Sequence, residues 1–144
     1  MKPILIIFFA LLSTSVFAQE DWGKVDKNVL TLKEIAPIWP GCEKGSANER
    51  DNCFNSQLAN HIAKNFKYPA KEYRNKVEGK VIVDFIINEE GMVEVRDVSG
   101  GTPALQAEAK RNILAIPKMV KPGMMGGKPR TIKYKVPFNF KTGK

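Results

Sequence analysis

The stretch Lys80–Val98, KVIVDFIINEEGMVEVRDV, narrows the folds open to this chain more than any other. Val81, Val83, Phe85 and Ile87 alternate with Lys80, Ile82, Asp84 and Ile86. A period of two in β-branched and aromatic residues puts one set of side chains on each face of a strand. Asn88-Glu89-Glu90-Gly91 interrupts the pattern, and a second β-rich run follows from Met92 to Val98. Two strands across a short glycine-containing loop predict an antiparallel hairpin. In the second run Asp97 falls where an apolar residue is due after Val93 and Val95. A bulge near Arg96 would return Val98 to the buried face.

Helical signals flank the hairpin. Ser46-Ala47-Asn48-Glu49 supplies the N-cap serine and N3 glutamate of a capping box. The helix it opens should run to about Phe66, with Phe54, Leu58, Ile62 and Phe66 recurring every four residues. Cys53 and His61 lie at the margins of that stripe, and His61 reads as a boundary residue. Tyr68-Pro69 ends the helix, because the residue before proline is pushed out of the α region. Pro69 can in turn open a short helical turn through Tyr73. After the hairpin, Gly100-Gly101 marks a turn, and Thr102-Pro103 gives an N-cap and first position for a second helix. Its apolar face is Leu105, Ala109, Ile113 and Ile116, and Pro117 stops it. Lys118–Arg130, dense in glycine and proline, reads as a loop with Met124 and Met125 at its tip.

The last element is TIKYKVPFNF, Thr131 to Phe140, with Ile132, Tyr134, Val136, Phe138 and Phe140 on one face. Pro137 has no N–H to give a ladder, so this strand belongs at a sheet edge with the proline nitrogen turned outward. The right-handed crossover rule sets it beside the first hairpin strand. The fold class that follows is α+β: a three-stranded antiparallel sheet, order second-first-third, with two main helices packed on one face. Lysines and a proline also blunt an exposed edge against aggregation. The alternative use of such an edge is β-augmentation by a visiting peptide, and lysines would favour acidic residues in it.

Residues 1–18 carry an apolar run ending in Val16-Phe17-Ala18 before Gln19 and read as a cleaved secretory signal peptide. The apolar stretch falls short of the roughly 20 residues a membrane helix needs, which argues against a membrane anchor. Residues 19–36 then form a flexible tail and 37–144 a domain, divided into a 37–69 extension and a 70–144 core. The formal net charge of +8 is spread over scattered lysines, so nucleic acid is not the expected partner. Cys42 and Cys53, the two cysteines of an exported chain, predict a disulfide over a zinc site, since His61 is the one histidine available as a further ligand. No cofactor motif, phosphate loop or nucleophile–base pairing stands out, so the chain is not read as an enzyme. Asp84 and Glu94 could pair across the hairpin, but solvent-face charge is the commoner role. Trp39, in the extended PIWPGCE segment, reads as a packing anchor.

The run YPAKEYRNKVEGKVIVDFIINEEGMVEV, the Leu105-to-Pro117 helix and the closing KPGMMGGKPRTIKYKVPFNF together resemble the TonB C-terminal domain family. PIWPGCE and the helix before Tyr68-Pro69 look like the extension found in Bacteroidetes-type relatives. The resemblance implies a small αβ sandwich that grips the "TonB box" peptide of a TonB-dependent outer-membrane receptor by strand addition. Carried over to this chain, the grip falls on Thr131, Ile132, Lys133, Tyr134, Lys135 and Val136, with Lys67, Tyr68 and Pro69 also in contact. Energy-transducing relatives keep a membrane helix and a long proline-rich spacer. This chain looks signal-cleaved, and residues 19–40 would span only about 75 Å fully stretched. Met119 stands where many relatives carry tryptophan. The expectation is therefore a periplasmic peptide-binding module. An inner-membrane-anchored transducer and a self-associating homodimer remain as alternatives.

Overall fold

The computed structural model describes residues 34–143. The signal peptide expected over 1–18, and most of the tail expected over 19–36, lie outside the described residues.

The described residues form, in chain order, β1 (Glu34–Ile35), α1 (Ala47–Asn65), α2 (Ala70–Arg74), β2 (Gly79–Ile87), β3 (Val93–Ser99), α3 (Pro103–Leu114), β4 (Gly123–Met125), β5 (Lys128–Arg130) and β6 (Ile132–Phe140). The main sheet is antiparallel and ordered β3-β2-β6, the order expected from the crossover argument. Val81, Val83, Phe85 and Ile87 are buried on its inner face, opposite Phe138, Val136, Tyr134 and Ile132 of β6. Directly opposed residues share a face in an antiparallel pair, so one register decides which side chains of all three strands meet the helices.

The bulge appears where Asp97 required it. Asp84 faces Asp97 and Phe85 faces Val95, which leaves Arg96 as the extra residue. Val93, Val95 and Val98 thereby all pack against the core. The carboxylates of Asp84 and Glu94 do not pair. Glu94 takes Arg96 at 3.1 Å and the Asn88 amide at 2.8 Å, while Asp84 sits 3.4 Å from Lys135.

α1 opens on the capping box: Glu49 N–H reaches Ser46 Oγ at 3.3 Å and Ser46 N–H reaches Glu49 Oε2 at 2.6 Å. It ends at Asn65, with Phe66 already extended. α3 starts on Thr102, whose hydroxyl accepts from Leu105 N–H at 3.4 Å, and buries Leu105, Ala109 and Ile113. α3 covers β2 and β3 on the inner face, and α1 packs beside it. Phe54 of α1 reaches Tyr134 of β6, ring centroids 5.2 Å apart.

Two long-range bonds lock the helices together. Asn112, fully buried on α3, donates its amide to the Ile62 carbonyl at 3.0 Å. His61 Nε2 donates to the Asn112 carbonyl at 3.0 Å while its Nδ1 accepts from Asn65 at 3.2 Å, so the ring proton sits on Nε2. Trp39 lies beneath, 5.8 Å from Phe54 and 5.9 Å from His61. Cys42 and Cys53 form a disulfide that ties the Trp39 segment to α1.

The segment read as a loop over 118–130 is different from expectation. It builds a second antiparallel sheet ordered β1-β4-β5. Gly126 and Gly127, at φ +59° and +75°, form the two-residue turn between Met125 and Lys128. A turn with both central residues at positive φ matches strand twist and needs glycine or asparagine there. Met124 and Met125 are half-buried strand residues paired with Ile35 and Glu34. Strand pairing thus reaches Glu34, inside the stretch read as tail.

Candidate functional site: the free margin of the last strand

β6 pairs with β2 along its whole length, from Ile132↔Ile87 to Phe140↔Gly79, and no other described strand lies on its far side. The pairing continues unbroken through Pro137↔Ile82. A residue in an antiparallel strand turns its N–H and C=O to the same side, and that side alternates along the chain. Pro137 lacks the donor, so its phase is the one facing away from β2. Lys133, Lys135 and Asn139 share that phase and carry main-chain groups directed at the free margin. Thr131 shares it too but sits one residue before the strand proper.

Two hollows border β6, one on each face of the sheet; the outer lies over β2, and only the inner opens beside the free margin. The outer one, of about 570 Å³, is lined by Ile86, Asp84, Arg96, Lys133, Tyr134 and Lys135. Ile86 is only 5% exposed although it lies on the face away from the helices. The inner one, of about 280 Å³, is bounded by Glu34 beside Ala36, by Asp51, Phe54 and Asn55 of α1, and by Ile132, Lys133 and Tyr134. Tyr134 stands between them, stacked on Phe85 at 5.3 Å with 20° between the planes. Burial first, then the Glu34 and Asp51 carboxylates, pushes its phenol above the ordinary tyrosine value.

The Lys67, Tyr68 and Pro69 segment, between α1 and α2, packs against the other end of the same strand. Tyr68 meets β6 at Phe140, ring centroids 5.4 Å apart, and donates its hydroxyl to the Val77 carbonyl at 2.6 Å. From Val136 to Phe140 is about 13 Å of extended chain. The structure therefore joins Thr131–Val136 into one margin and sets the Tyr68-Pro69 corner at its far end. That corner is held by a residue the sequence pattern did not mark. Glu108, nearly buried on α3, accepts Lys67 N–H at 2.8 Å and clasps Arg111 at 2.7 Å. Arg111 also bonds the Asn65 carbonyl, closing the end of α1. Among the described residues no group of three or more histidine, cysteine or acidic side chains could hold a metal. No described helix is long and apolar enough to cross a membrane.

Residues 64–142, more than half of the chain, match the family described as Gram-negative bacterial TonB protein C-terminal. The chain belongs to the TonB C-terminal domain family. Two NMR solution structures of the Helicobacter pylori TonB C-terminal domain are similar to it. One is 22% identical with a TM-score of 0.43, covering 63% of this chain and 96% of its own. A longer form is 21% identical with a TM-score of 0.45, covering 71% of this chain and 88% of its own. No curated protein matches the chain. TonB C-terminal domains are associated with TonB-dependent transport. Here β1, the Trp39 segment, the disulfide and most of α1 precede the matched residues.

Proposed function

We propose that this TonB C-terminal domain is a periplasmic binding module. It takes an extended segment of a TonB-dependent outer-membrane receptor as a fourth strand on β6, through Thr131 to Val136, with Lys67, Tyr68 and Pro69 flanking the far end. The observation that carries the reading is the free margin of a nine-residue strand whose other side is fully paired. An exposed edge of that length offers main-chain hydrogen bonds to an extended chain, and the side chains and hollow beside it offer selectivity. The disulfide supports an oxidising compartment and with it export through the 1–18 signal.

Lys133→Pro and Lys135→Pro test the assignment. Both residues share the phase of Pro137, so neither substitution removes a bond to β2, and extended backbone accommodates proline. Each variant should keep its far-UV circular dichroism and lose binding to a receptor's N-terminal peptide in fluorescence anisotropy. Unchanged affinity in both overturns the reading. Edge-to-edge homodimerisation draws on the same margin. Sedimentation that shows a monomer at all concentrations discards it.

A further inference from the structure

A peptide added beside β6 sends successive side chains to opposite faces of the sheet. The two faces it would meet are not alike. On the outer face its nearest neighbours are Lys133 and Lys135, whereas Arg96, two strands away on β3, is taken by Glu94 at 3.1 Å. Lys135 is partly answered by Asp84 at 3.4 Å, whereas Lys133 stands opposite Ile86 and has no carboxylate within 4.0 Å among the described residues. On the inner face the hollow presents Glu34 and Asp51, the Asn55 amide, and the rings of Phe54 and Tyr134. Strand alternation puts the Lys133 side chain on the other face, so it is the strand margin at Lys133 that borders this hollow. No β2 residue lines it, which means it opens on the unpaired side of β6.

Resting on the strand-addition reading above, we propose that the incoming peptide is recognised on both faces by charge of opposite sign. Acidic side chains meet Lys133 and Lys135 on the outer face, and lysine or arginine side chains, one residue out of step, enter the inner hollow. Two carboxylates beside aromatic faces suit an ammonium or guanidinium group. The upward push on the Tyr134 phenol agrees with both carboxylates reaching this spot. Glu34, Asp51, Phe54 and Asn55 all precede the family match, so the inner reader is a contribution of the disulfide-bonded extension.

Two fluorescein-labelled peptides of identical composition, (Glu-Lys)4 and (Glu-Glu-Lys-Lys)2, separate the outcomes. In an extended chain the first sorts its charges by face, and the second puts both signs on both faces. At low ionic strength the full chain should bind the alternating peptide about fivefold tighter or more, the gain of one to two surface charge pairs. The preference should vanish in the Glu34→Gln/Asp51→Asn double variant. Equal affinity for both peptides refutes face-specific reading and leaves strand addition standing, provided Lys133→Pro abolishes both. A preference that survives the double variant refutes the inner hollow as its source. Binding of a (Thr-Val)4 control alone refutes the charge reading. Binding of none of the three overturns strand addition itself.

Discussion

Reducing the Cys42–Cys53 bond perturbs the extension without removing an atom of its packing. The two cysteines are eleven positions apart and join the Trp39 segment to the second turn of α1. In the chain-entropy treatment, closing a loop of this length stabilises the folded state by about 3 kcal/mol, mostly by restricting the unfolded chain. For a domain of this size each kcal/mol shifts the melting temperature by about 4 °C, so reduction should lower Tm by about 12 °C. The assay is a thermal melt followed by circular dichroism, with and without reductant, and free thiols titrated to verify cleavage. Because the bond also holds the wall that carries Asp51 and Phe54, the reduced protein should lose the alternating-peptide preference before it loses its main sheet. A Tm unchanged to within about 2 °C in verified dithiol protein would refute the idea that the extension is stapled to the core by this bond.

Glu108→Ala leaves the Lys67 N–H without its acceptor and Arg111 without its carboxylate. Arg111 is 42% exposed and can turn to water, so the loss should be about 2 kcal/mol and not the larger cost of a fully buried broken pair. Urea unfolding measures it, and a loss below about 0.5 kcal/mol contradicts the role given to Glu108. Tyr134 carries a pH dependence. Its folded phenol holds the proton more tightly than the ordinary value of 10.0, so the linked stability is complete below that pH and fades as pH rises beyond it. The wild-type chain should therefore lose stability faster than Tyr134→Phe in unfolding curves taken above about pH 10, and parallel losses contradict the assignment.

The parts of the fold that were legible are those with local causes. Alternation set the β2–β3 hairpin, a misplaced Asp97 called for the bulge at Arg96, and Ser46 with Glu49 marked the start of α1 to the residue. The second sheet was not legible, because strands of two or three residues have no period to detect. Gly126-Gly127 was its one signal, a two-residue turn hidden among other glycines. Glu108 and Asn112 fall outside the apolar stripe of α3, and no local pattern marks them, since their partners Lys67 and Ile62 lie 41 and 50 residues away. The free margin of β6 could be read from Pro137 alone. The charge asymmetry across it could not, because Glu34 and Asp51 come from segments that only the tertiary fold brings to Tyr134.

Amide hydrogen exchange along β6 in the free protein tests the central claim most directly. With the margin unpaired, the amides of Lys133, Lys135 and Asn139 should exchange about 100-fold faster or more than those of Tyr134, Val136 and Phe138, which are turned to β2. Uniformly slow exchange through the whole strand would mean that the margin is already occupied, and the binding site with it.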